Sequence, residues 1–264
     1  MKTANPLYGA LGGDLVGSVY EFCNIKTKDF PLLDEECSLT DDSILTLATA
    51  DAICSRNSFS VCYHRWGNRH PHRGYGGSFL AWLERPESGL TPYGSWGHGA
   101  AMRVSPVGFA FQTLDGVLDA AEDSASATHN HDEGIRGAQA TALAVFLARQ
   151  HTSNEAIKKE IERRFDYDLS QSLDSIRPTY GFDVSCQGTV PVAIRAFLES
   201  WCYEDAIRNA ISVGGDSDTI AAITGGIALA YYKEMPGQLS EAIEAKLTSD
   251  MKDICEKFAR DYPL

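Results

Sequence analysis

Apolar residues recur at helical spacing along most of the 264-residue chain, whereas the alternation of β-branched residues that is typical of strands is scarce. The segments with helical character are residues 10–22, 44–52, 133–150, 188–200, 203–213, 217–235 and 239–262. Pro191 lies near the first turn of its segment, where a missing N–H costs little. The last segment predicts one amphipathic surface helix that closes the chain. The pattern as a whole predicts an all-α fold.

Residues 64–109 form an irregular middle that is rich in glycine, proline, serine and aromatic residues. This composition predicts loops broken by short helices. No repeat period, low-complexity tract or linker-like change of composition divides the chain. We therefore expect one domain over residues 1–264, with the functional loops in its middle.

The formal net charge of −13 argues against a non-specific surface for nucleic acid or anionic membranes, although a local pocket could still bind a small phosphate ligand. No run approaches the roughly 18 apolar residues that span a bilayer, and residues 1–20 lack a secretory signal pattern. The chain has seven cysteines, an odd number, and no two of them form a C-x-x-C pair. This pattern does not indicate a disulfide framework and favours a reducing compartment. We expect a cytoplasmic monomer that binds neither membrane nor nucleic acid.

Two segments begin a predicted helix with acidic residues. In "LTDDS", Thr40 can cap the helix while Asp41 and Asp42 interact favourably with the helix dipole. In "GGDSDTIAA", Asp216 can be the cap and Asp218 a first-turn acid, and the glycines give the preceding turn its backbone freedom. Taken singly, each motif is sufficiently explained as a helix start.

The two motifs together offer carboxylates and hydroxyls from separate helix starts, and the second motif ends in Thr219. Hard divalent cations such as Mg²⁺ prefer oxygen ligands of this kind. Converging carboxylates would repel one another without a cation, and two metals held by aspartates are a common hydrolytic device. Spacing alone leaves open whether the motifs meet. Asp14 and Glu21, seven residues apart, would share a helix face, so Glu21 can reach the same cluster or both can be solvated.

The histidines and glycine loops admit two interpretations each. Residues 64–74 concentrate three histidines and three arginines without a usual zinc spacing, which favours a solvated basic loop. His129 and His131 can be ligand contacts or helix-start residues. The loops "RGYGGS" and "YGSWGHGAAMR" can bring backbone N–H groups to a phosphate beside a stacking ring, or can pack on their own aromatics. Neither a strand-linked G-x-G-x-x-G nor a P-loop lysine motif is present.

Seven of these segments, in order along the chain, resemble the ADP-ribosylglycohydrolase family. They are "GALGGDLVGSVYE", "LTDDSILTLATA", "RGYGGSF", "YGSWGHGAAMRVSPVG", "THNHDEGIRGA", "TVPVAI" and "VGGDSDTIAAITGGIA", and they extend from about residue 9 to residue 232. Each motif alone is of moderate specificity, whereas seven in the family's order are highly specific. The resemblance implies a single compact, orthogonal helical domain with a dinuclear Mg²⁺ centre, or Mn²⁺ in some members, at the base of an ADP-ribose cleft.

The resemblance, carried over residue by residue, also implies the site. The metal ligands would be Thr40, Asp41, Asp42, Asp216, Asp218 and Thr219. Glu21 matches a mobile acid beside the metals, and either Glu21 or the metal-bound Asp41 or Asp42 would activate a water. The substrate contacts would be Gly74, Tyr75, Gly76, Gly94, Ser95, Trp96 and His129.

Two positions depart from the family's pattern. Ser43 replaces a threonine that is common there and keeps the hydroxyl, while His98 stands where many members have asparagine, which leaves the acceptor preference more open. The implied activity is metal-dependent hydrolysis of the glycosidic bond between ADP-ribose and a modified acceptor, with a protein arginine favoured, through a transition state of oxocarbenium character. The alternatives are a non-catalytic ADP-ribose-binding or structural member, and a two-metal hydrolase acting on another nucleotide-like substrate.

Overall fold

The computed structural model describes residues 5–264, and all regular secondary structure in this range is helical. The helices are α1 (Tyr8–Gly17), α2 (Asp41–Ser55), α3 (Phe59–Arg69), α4 (Gly77–Leu83), α5 (Ser105–Ala110), α6 (Leu114–Ser126), α7 (Asp132–Arg149), α8 (Asn154–Phe165), α9 (Leu173–Ile176), α10 (Cys186–Leu198), α11 (Tyr203–Ser212), α12 (Ser217–Tyr232), α13 (Gly237–Lys246) and α14 (Ser249–Asp261). Two 3₁₀ turns, Glu87–Gly89 and His98–Ala100, lie between α4 and α5. The predicted all-α class is confirmed for these residues, and residues 1–4 of the predicted domain lie outside them. Within the same range, no helix is both long enough and apolar enough to cross a bilayer.

Helix α12 forms the centre of the core, because its residues from Ser217 to Ala230 are all buried. Its run "IAAITGGIALA" is apolar on every face, which is typical of a helix surrounded by others. Helix α1 packs on α12 at a separation that only glycine permits. A Cβ on Gly13 would lie 1.9 Å from the carbonyl oxygen of Ala221, and one on Gly17 would lie 2.4 Å from the Cα of Asp218. The end of α1 is therefore held directly against the first turn of α12.

Helix α2 brings a second helix start to the same place. It packs against α1, α3, α5 and α14, so its position is fixed on several sides. Thr40 is its N-cap as predicted, and the Thr40 hydroxyl accepts a hydrogen bond from the backbone N–H of Asp42. The first turns of α2 and α12 and the last turn of α1 consequently lie side by side.

Two predicted helices are shorter than their apolar patterns indicate. The segment 10–22 is helical only as far as Gly17, a residue type with low helix propensity, and the hydroxyl of Ser18 then donates to the carbonyl of Leu15. The segment 239–262 contains two helices and not one. They are separated by Leu247, whose side chain is buried and whose backbone is extended, and by Thr248 at a new N-cap position.

The helix predicted at 188–200 starts earlier, at Cys186. Ser185 caps it by accepting from the N–H of Gly188 at 3.0 Å. Pro191 therefore lies inside α10 and not in its first turn, so the prediction about its position is wrong. Cap residues on loops are easily missed when apolar spacing is the main signal for a helix start.

The basic segment 64–74 is not a solvated loop throughout, because its first part continues α3. His64 lies with its Nε2 3.0 Å from the carbonyl oxygen of Leu83, and His70 is buried with its Nε2 3.0 Å from Asp250 Oδ2. Trp66 lies between these two histidines in the sequence and is buried, so its packing places this stretch against the core. The prediction of a solvated basic loop is therefore wrong for these two histidines.

The contact between α1 and α12 makes a quantitative prediction. We expect Gly13→Ala to lower the free energy of unfolding by about 3 kcal/mol or more, because the new methyl group meets backbone atoms that cannot rotate away. Gly237→Ala is the matched control, since a Cβ there meets nothing within 4 Å. Urea denaturation of both variants checks this, and equal stabilities would contradict the close packing.

Candidate active site

One buried carboxylate fastens the start of α2 to α1. Asp14 is fully buried, and its oxygens accept hydrogen bonds from the backbone N–H of Thr40 at 2.9 Å and from the Thr40 hydroxyl at 2.6 Å. The backbone N–H of Ser43, at 3.1 Å, and the Ser43 hydroxyl donate to the same carboxylate. Four donors from the first turn of α2 thus surround Asp14. The backbone of the T-D-D motif is therefore held in place by the protein itself.

The start of α12 depends on two glycines with left-handed backbone conformation. Gly214 and Gly215 have φ angles of +74° and +79°, which only glycine adopts without strain. The Asn24 side chain accepts from the N–H of Gly215 at 2.6 Å and donates to its carbonyl at 2.9 Å. Asp216 then occupies the N-cap position, but its carboxylate makes no capping hydrogen bond, so the predicted cap is wrong for the side chain. The backbone carbonyl of Asp216 accepts from the N–H of Ile220 at 3.0 Å, whereas its carboxylate faces the cleft.

The two acidic motifs meet in space, because the Thr219 hydroxyl donates to Asp42 Oδ2 at 3.2 Å. Two groups of acidic residues have ligand atoms within 4.8 Å of one another, and they are Asp14, Asp42 and Asp218, and Glu21, Asp216 and Asp218. Asp42 Oδ1 is buried and has no hydrogen-bond partner within residues 5–264. A buried anionic oxygen without a donor is costly, and a bound cation would stabilise it. Donors that are carboxylates and hydroxyls fit a hard divalent ion such as Mg²⁺.

The pKa values at this centre reflect the crowding of like charges. Burial, followed by the charge of Asp14, raises the pKa of Asp41 to about 8. Burial likewise raises the pKa of Asp42 and of Asp218 well above the usual range, and each of these two carboxylates has other aspartates as neighbours. The pKa of Asp14 rises only to about 6, because the hydrogen bonds from Ser43 and Thr40 oppose the effect of burial. The carboxylates of the site thus repel one another when they are ionised, and a bound cation would reduce this repulsion.

His98 contacts the second acidic motif directly. Its Nε2 lies 3.2 Å from Asp216 Oδ2, a close contact whose angles are not those of a hydrogen bond. Burial disfavours ionisation of Asp216, but the neighbouring His98 and Asp218 lower its pKa overall. The departure from the family pattern at His98 therefore lies against the acidic centre.

Glu21 reaches the centre along a path that its spacing does not indicate. Because α1 ends at Gly17, Glu21 does not share a helix face with Asp14, and that prediction is wrong. The turn after α1 carries Glu21, whose carbonyl accepts from the Asn24 side chain at 2.9 Å. Glu21 is half-buried, and burial with the charges of Asp216 and Asp14 raises its pKa to about 7. A carboxyl group with a pKa near neutrality can exchange protons with water at physiological pH.

A cleft of about 570 Å³ opens above the acidic centre. Of the residues predicted for the site, those that line it are Glu21, Asp41, Asp42, Gly74, Gly76, Gly94, Ser95, Trp96, His129, Asp216, Asp218 and Thr219. Thr40 and Tyr75 do not line it. The Thr40 hydroxyl is bonded to Asp14, and the ring of Tyr75 is buried with its hydroxyl donating to the carbonyl of His70 at 3.0 Å. These two side chains support the walls of the cleft.

Glycine loops form two walls of the cleft. Gly74 has a φ angle of +91°, and a Cβ at this position would lie 3.3 Å from Asp41 Oδ1. Its loop is joined to α2 because the N–H of Asp41 donates to the carbonyl of Arg73 at 2.7 Å. Gly94 has a φ angle of +68°, and its N–H donates to Asn130 Oδ1 at 2.8 Å. Both glycine loops therefore expose their backbone to the cleft that contains the acidic centre.

Two residues hold this centre together in roles that the sequence did not predict. Asp14 is the carboxylate that anchors α2, and Asn24 brackets the glycine turn before Asp216. An acid inside the small, apolar segment "GALGGDLVG" is a usable signal for Asp14, because such a residue is buried only when it is bonded. Asn24 has no comparable signal, since its partner lies 191 positions away.

Fold and site together define an all-helical protein with a candidate metal centre of carboxylates at the base of a cleft. The family model described as ADP-ribosylglycohydrolase matches residues 2–263. The chain belongs to the ADP-ribosylglycohydrolase family, which confirms the resemblance in the seven motifs. It is a hydrolase of the class that acts on the glycosidic bonds of ADP-ribose.

Individual relatives are similar over most of the chain. The ADP-ribosylhydrolase ARH3 of Xenopus tropicalis is 27% identical, over 97% of this chain and 94% of that protein. The ADP-ribosylarginine hydrolase Tri1 of Pseudomonas putida (strain GB-1) is 26% identical, over 88% of this chain and 70% of that protein. A solved structure described as an ADP-ribosylglycohydrolase-related protein complex has a TM-score of 0.74 at 22% identity, over 98% of this chain and 96% of that one, which shows the shared fold.

The raised pKa of Asp41 predicts how pH affects the metal-free protein. An aspartate has a pKa near 4 in the unfolded chain, so the folded state binds the extra proton between about pH 4 and pH 8 and loses stability as pH rises through this range. We expect Asp41→Asn, measured in a chelator, to gain melting temperature relative to wild type at pH 8 but not at pH 4. Adding Mg²⁺ at pH 8 should raise the melting temperature of wild type more than that of the variant.

Asp253→Asn is the matched control, because Asp253 is an exposed acid on α14. It should respond to pH and Mg²⁺ as the wild type does. A wild-type melting temperature that is indifferent to Mg²⁺ at pH 8 would contradict the assignment of a metal centre.

Proposed function

We propose that this protein hydrolyses the glycosidic bond between ADP-ribose and a modified arginine side chain, and that it uses two Mg²⁺ ions, with Mn²⁺ as an alternative. The observation that carries the proposal is the meeting of two acidic helix starts around the unpaired Asp42 Oδ1 at the base of the cleft. The products would be free ADP-ribose and the unmodified acceptor.

The metal ligands proposed from the resemblance are Thr40, Asp41, Asp42, Asp216, Asp218 and Thr219. Of these, Thr40 has the weakest support, because it does not line the cleft and its hydroxyl is bonded to Asp14. Two overlapping groups of acidic residues, which share Asp218, have convergent oxygens and support metal binding at this place. When bound, the ions would neutralise the carboxylates and supply Lewis-acid stabilisation to the reacting sugar. The chain's own part is to hold the oxygens in place, which Asp14 does at the start of α2 and Asn24 before α12.

Glu21 is the proposed general base, with Asp41 and Asp42 as the alternative candidates. Its carboxylate accepts a proton from the water that attacks the anomeric carbon, while the bond from that carbon to the acceptor nitrogen breaks and its electron pair stays on the nitrogen. The nitrogen takes up a proton from solvent, and Glu21 releases its proton to solvent. The position of Glu21 in the cleft wall and its raised pKa support this role.

The remaining predicted residues are proposed to bind the ADP-ribose moiety. Gly74, Gly76 and Gly94 would approach the substrate through their backbone, because their loops face the cleft without side chains. Tyr75 would contribute only its main chain, since its ring is buried. Further contacts are proposed for Ser95, Trp96 and His129, which also line the cleft.

The rim of the cleft supports arginine as the acceptor. Phe22 and Phe182 are 83% and 53% exposed, and their rings stack with centroids 6.5 Å apart and an interplanar angle of 16°. Phe182 lines the cleft, and Phe22 follows Glu21, which also lines it, so the pair lies at the rim. An ADP-ribosylated guanidinium keeps its positive charge and stacks well on aromatic faces, which a modified serine cannot do.

A second cavity of about 580 Å³ lies beyond Phe182, which borders both spaces. Its charged lining residues are Glu133, Asp166, Asp168, Asp183, Arg136 and Arg195. Four carboxylates against two guanidinium groups leave this cavity negative, so it would complement a basic protein segment around a modified arginine.

Further expectations complete the proposal. We propose one domain over residues 1–264, a monomeric state and a cytoplasmic location. Analytical ultracentrifugation of the purified protein checks the monomer, and a stable dimer would contradict it.

The activity is tested by Mg²⁺-dependent release of ADP-ribose from substrates modified on arginine, serine, a nucleobase or a carboxyl group. We expect Asp41→Asn and Asp218→Asn each to lower kcat/KM by about a hundredfold or more, because each removes an oxygen from the proposed metal centre. Glu21→Gln should lower kcat by about 10²- to 10⁴-fold through loss of the base. Asp253→Asn is the control and should keep wild-type activity. Full activity in chelator, or in both aspartate variants, would refute the two-metal assignment.

The acceptor preference has its own test. We expect Phe182→Leu to raise KM for ADP-ribosylarginine by about two- to fivefold, which corresponds to one lost cation–π contact, with little change for ADP-ribosylserine. Trp201→Leu is the control, because Trp201 is 77% exposed and does not line the cleft. Equal effects of Phe182→Leu on both substrates would argue against a rim that recognises arginine.

A further inference from the structure

Arg103 is a fully buried cation at the wall of the cleft, and none of the salt bridges within residues 5–264 includes it. Its Nη2 donates to the carbonyl of Ser124 at 3.2 Å and to the Thr128 hydroxyl at 2.8 Å. Its guanidinium carbon lies 3.9 Å from the ring centroid of Tyr63, while its Nε and Nη1 have no partner in the described part of the chain. Burying a cation without a counter-ion is costly, so its position needs a reason.

The Thr128 hydroxyl connects Arg103 to His129. Its Oγ1 lies 2.7 Å from His129 Nδ1, in addition to the contact with Arg103 Nη2. A guanidinium group only donates hydrogen bonds, so the hydroxyl oxygen accepts from Arg103. If His129 Nδ1 also donated to the Thr128 oxygen, the hydroxyl proton of Thr128 would find no acceptor in Arg103 or in His129. The Tyr93 hydroxyl also approaches Thr128, but Nδ1 at 2.7 Å is the nearer acceptor, so the hydroxyl donates to Nδ1.

His129 then carries its proton on Nε2. Burial, together with the charges of Arg103 and His98, holds the pKa of His129 well below its usual range, so the ring is neutral at pH 7. His129 lines the cleft, and the space beside its Nε2 exists because Gly99 has no side chain, since a Cβ there would lie 3.0 Å from Nε2. The ring thus offers one N–H group from the wall of the cleft.

We propose that Arg103 and Thr128 are positioning residues that hold His129 in the Nε2–H tautomer, so that it donates a hydrogen bond to an anionic oxygen of the bound ligand. The other tautomer would direct a lone pair at that oxygen and repel it. The positive charge of Arg103 polarises the chain of hydrogen bonds in the same direction, which strengthens the donor. The ligand part of this inference rests on the proposed function, whereas the tautomer does not.

The tautomer is measured directly by long-range ¹⁵N–¹H correlation spectra of ¹⁵N-histidine-labelled protein between pH 6 and pH 8. The signals of His129 are identified by their loss in His129→Gln. We expect a protonated Nε2 and an unprotonated Nδ1 over the whole range. A protonated Nδ1, or an imidazolium at pH 7, would overturn the proposal without any variant.

A matched pair of variants tests the relay. Thr128→Val removes the hydroxyl and should produce a mixture of tautomers, while Thr128→Ser keeps the hydroxyl and the Nε2–H form. Calorimetric titration with ADP-ribose should show binding weakened about three- to tenfold in the valine variant relative to the serine variant. A valine variant with a pure Nε2–H tautomer and unchanged affinity would overturn the proposal.

The two proposals fail in different ways. If wild type does not bind ADP-ribose, the proposed function is refuted, and the spectra still decide whether Thr128 sets the tautomer. If ADP-ribose binds but the spectra show Nδ1–H, only the present inference is refuted. Circular dichroism of both threonine variants confirms that they are folded before these comparisons are made.

Discussion

The carboxylate of Asp14 is the contact on which the acidic centre depends. It lies on α1, which glycines hold at backbone distance from α12, and it binds both donors of Thr40 and both donors of Ser43. Three helices from distant parts of the chain are thereby fixed around one point. The oxygens of Asp42 and Asp218 converge because the elements that carry them have no freedom to separate.

The same rigidity creates an electrostatic cost. Burial raises the pKa of most carboxylates in the cluster, and Asp42 Oδ1 has no donor in the described part of the chain. A flexible loop could move its carboxylates apart and so reduce the repulsion between them. A helix start that is held by four hydrogen bonds cannot move in this way. Stability and ligand chemistry are thus coupled, because a cation that neutralises the cluster would also stabilise the fold.

The two sides of the cleft contrast in charge. The base is acidic, whereas the wall with His129 has a buried cation, Arg103, behind it. A ligand with a sugar at one end and phosphates at the other matches this polarity. The exposed pair of Phe22 and Phe182 lies at the mouth, where the acceptor would leave the cleft.

Local patterns determined much of this protein. Helical spacing predicted the all-α class, and the residues of both acidic motifs were found from helix-start chemistry, because caps and first turns depend on neighbours in sequence.

Other features could not be predicted in the same way. They are the close approach of α1 to α12, the turn after Gly17 that carries Glu21 to the cluster, and the hydrogen bonds of Asp14, Asn24 and His70. Each of these joins residues that are far apart in the chain or requires a backbone turn without a sequence signature. The sequence by itself therefore determined which oxygens are available and on which helix starts they lie. Only the tertiary structure decided that they converge, because burial and long-range hydrogen bonds, and not local propensity, set the distances between helices.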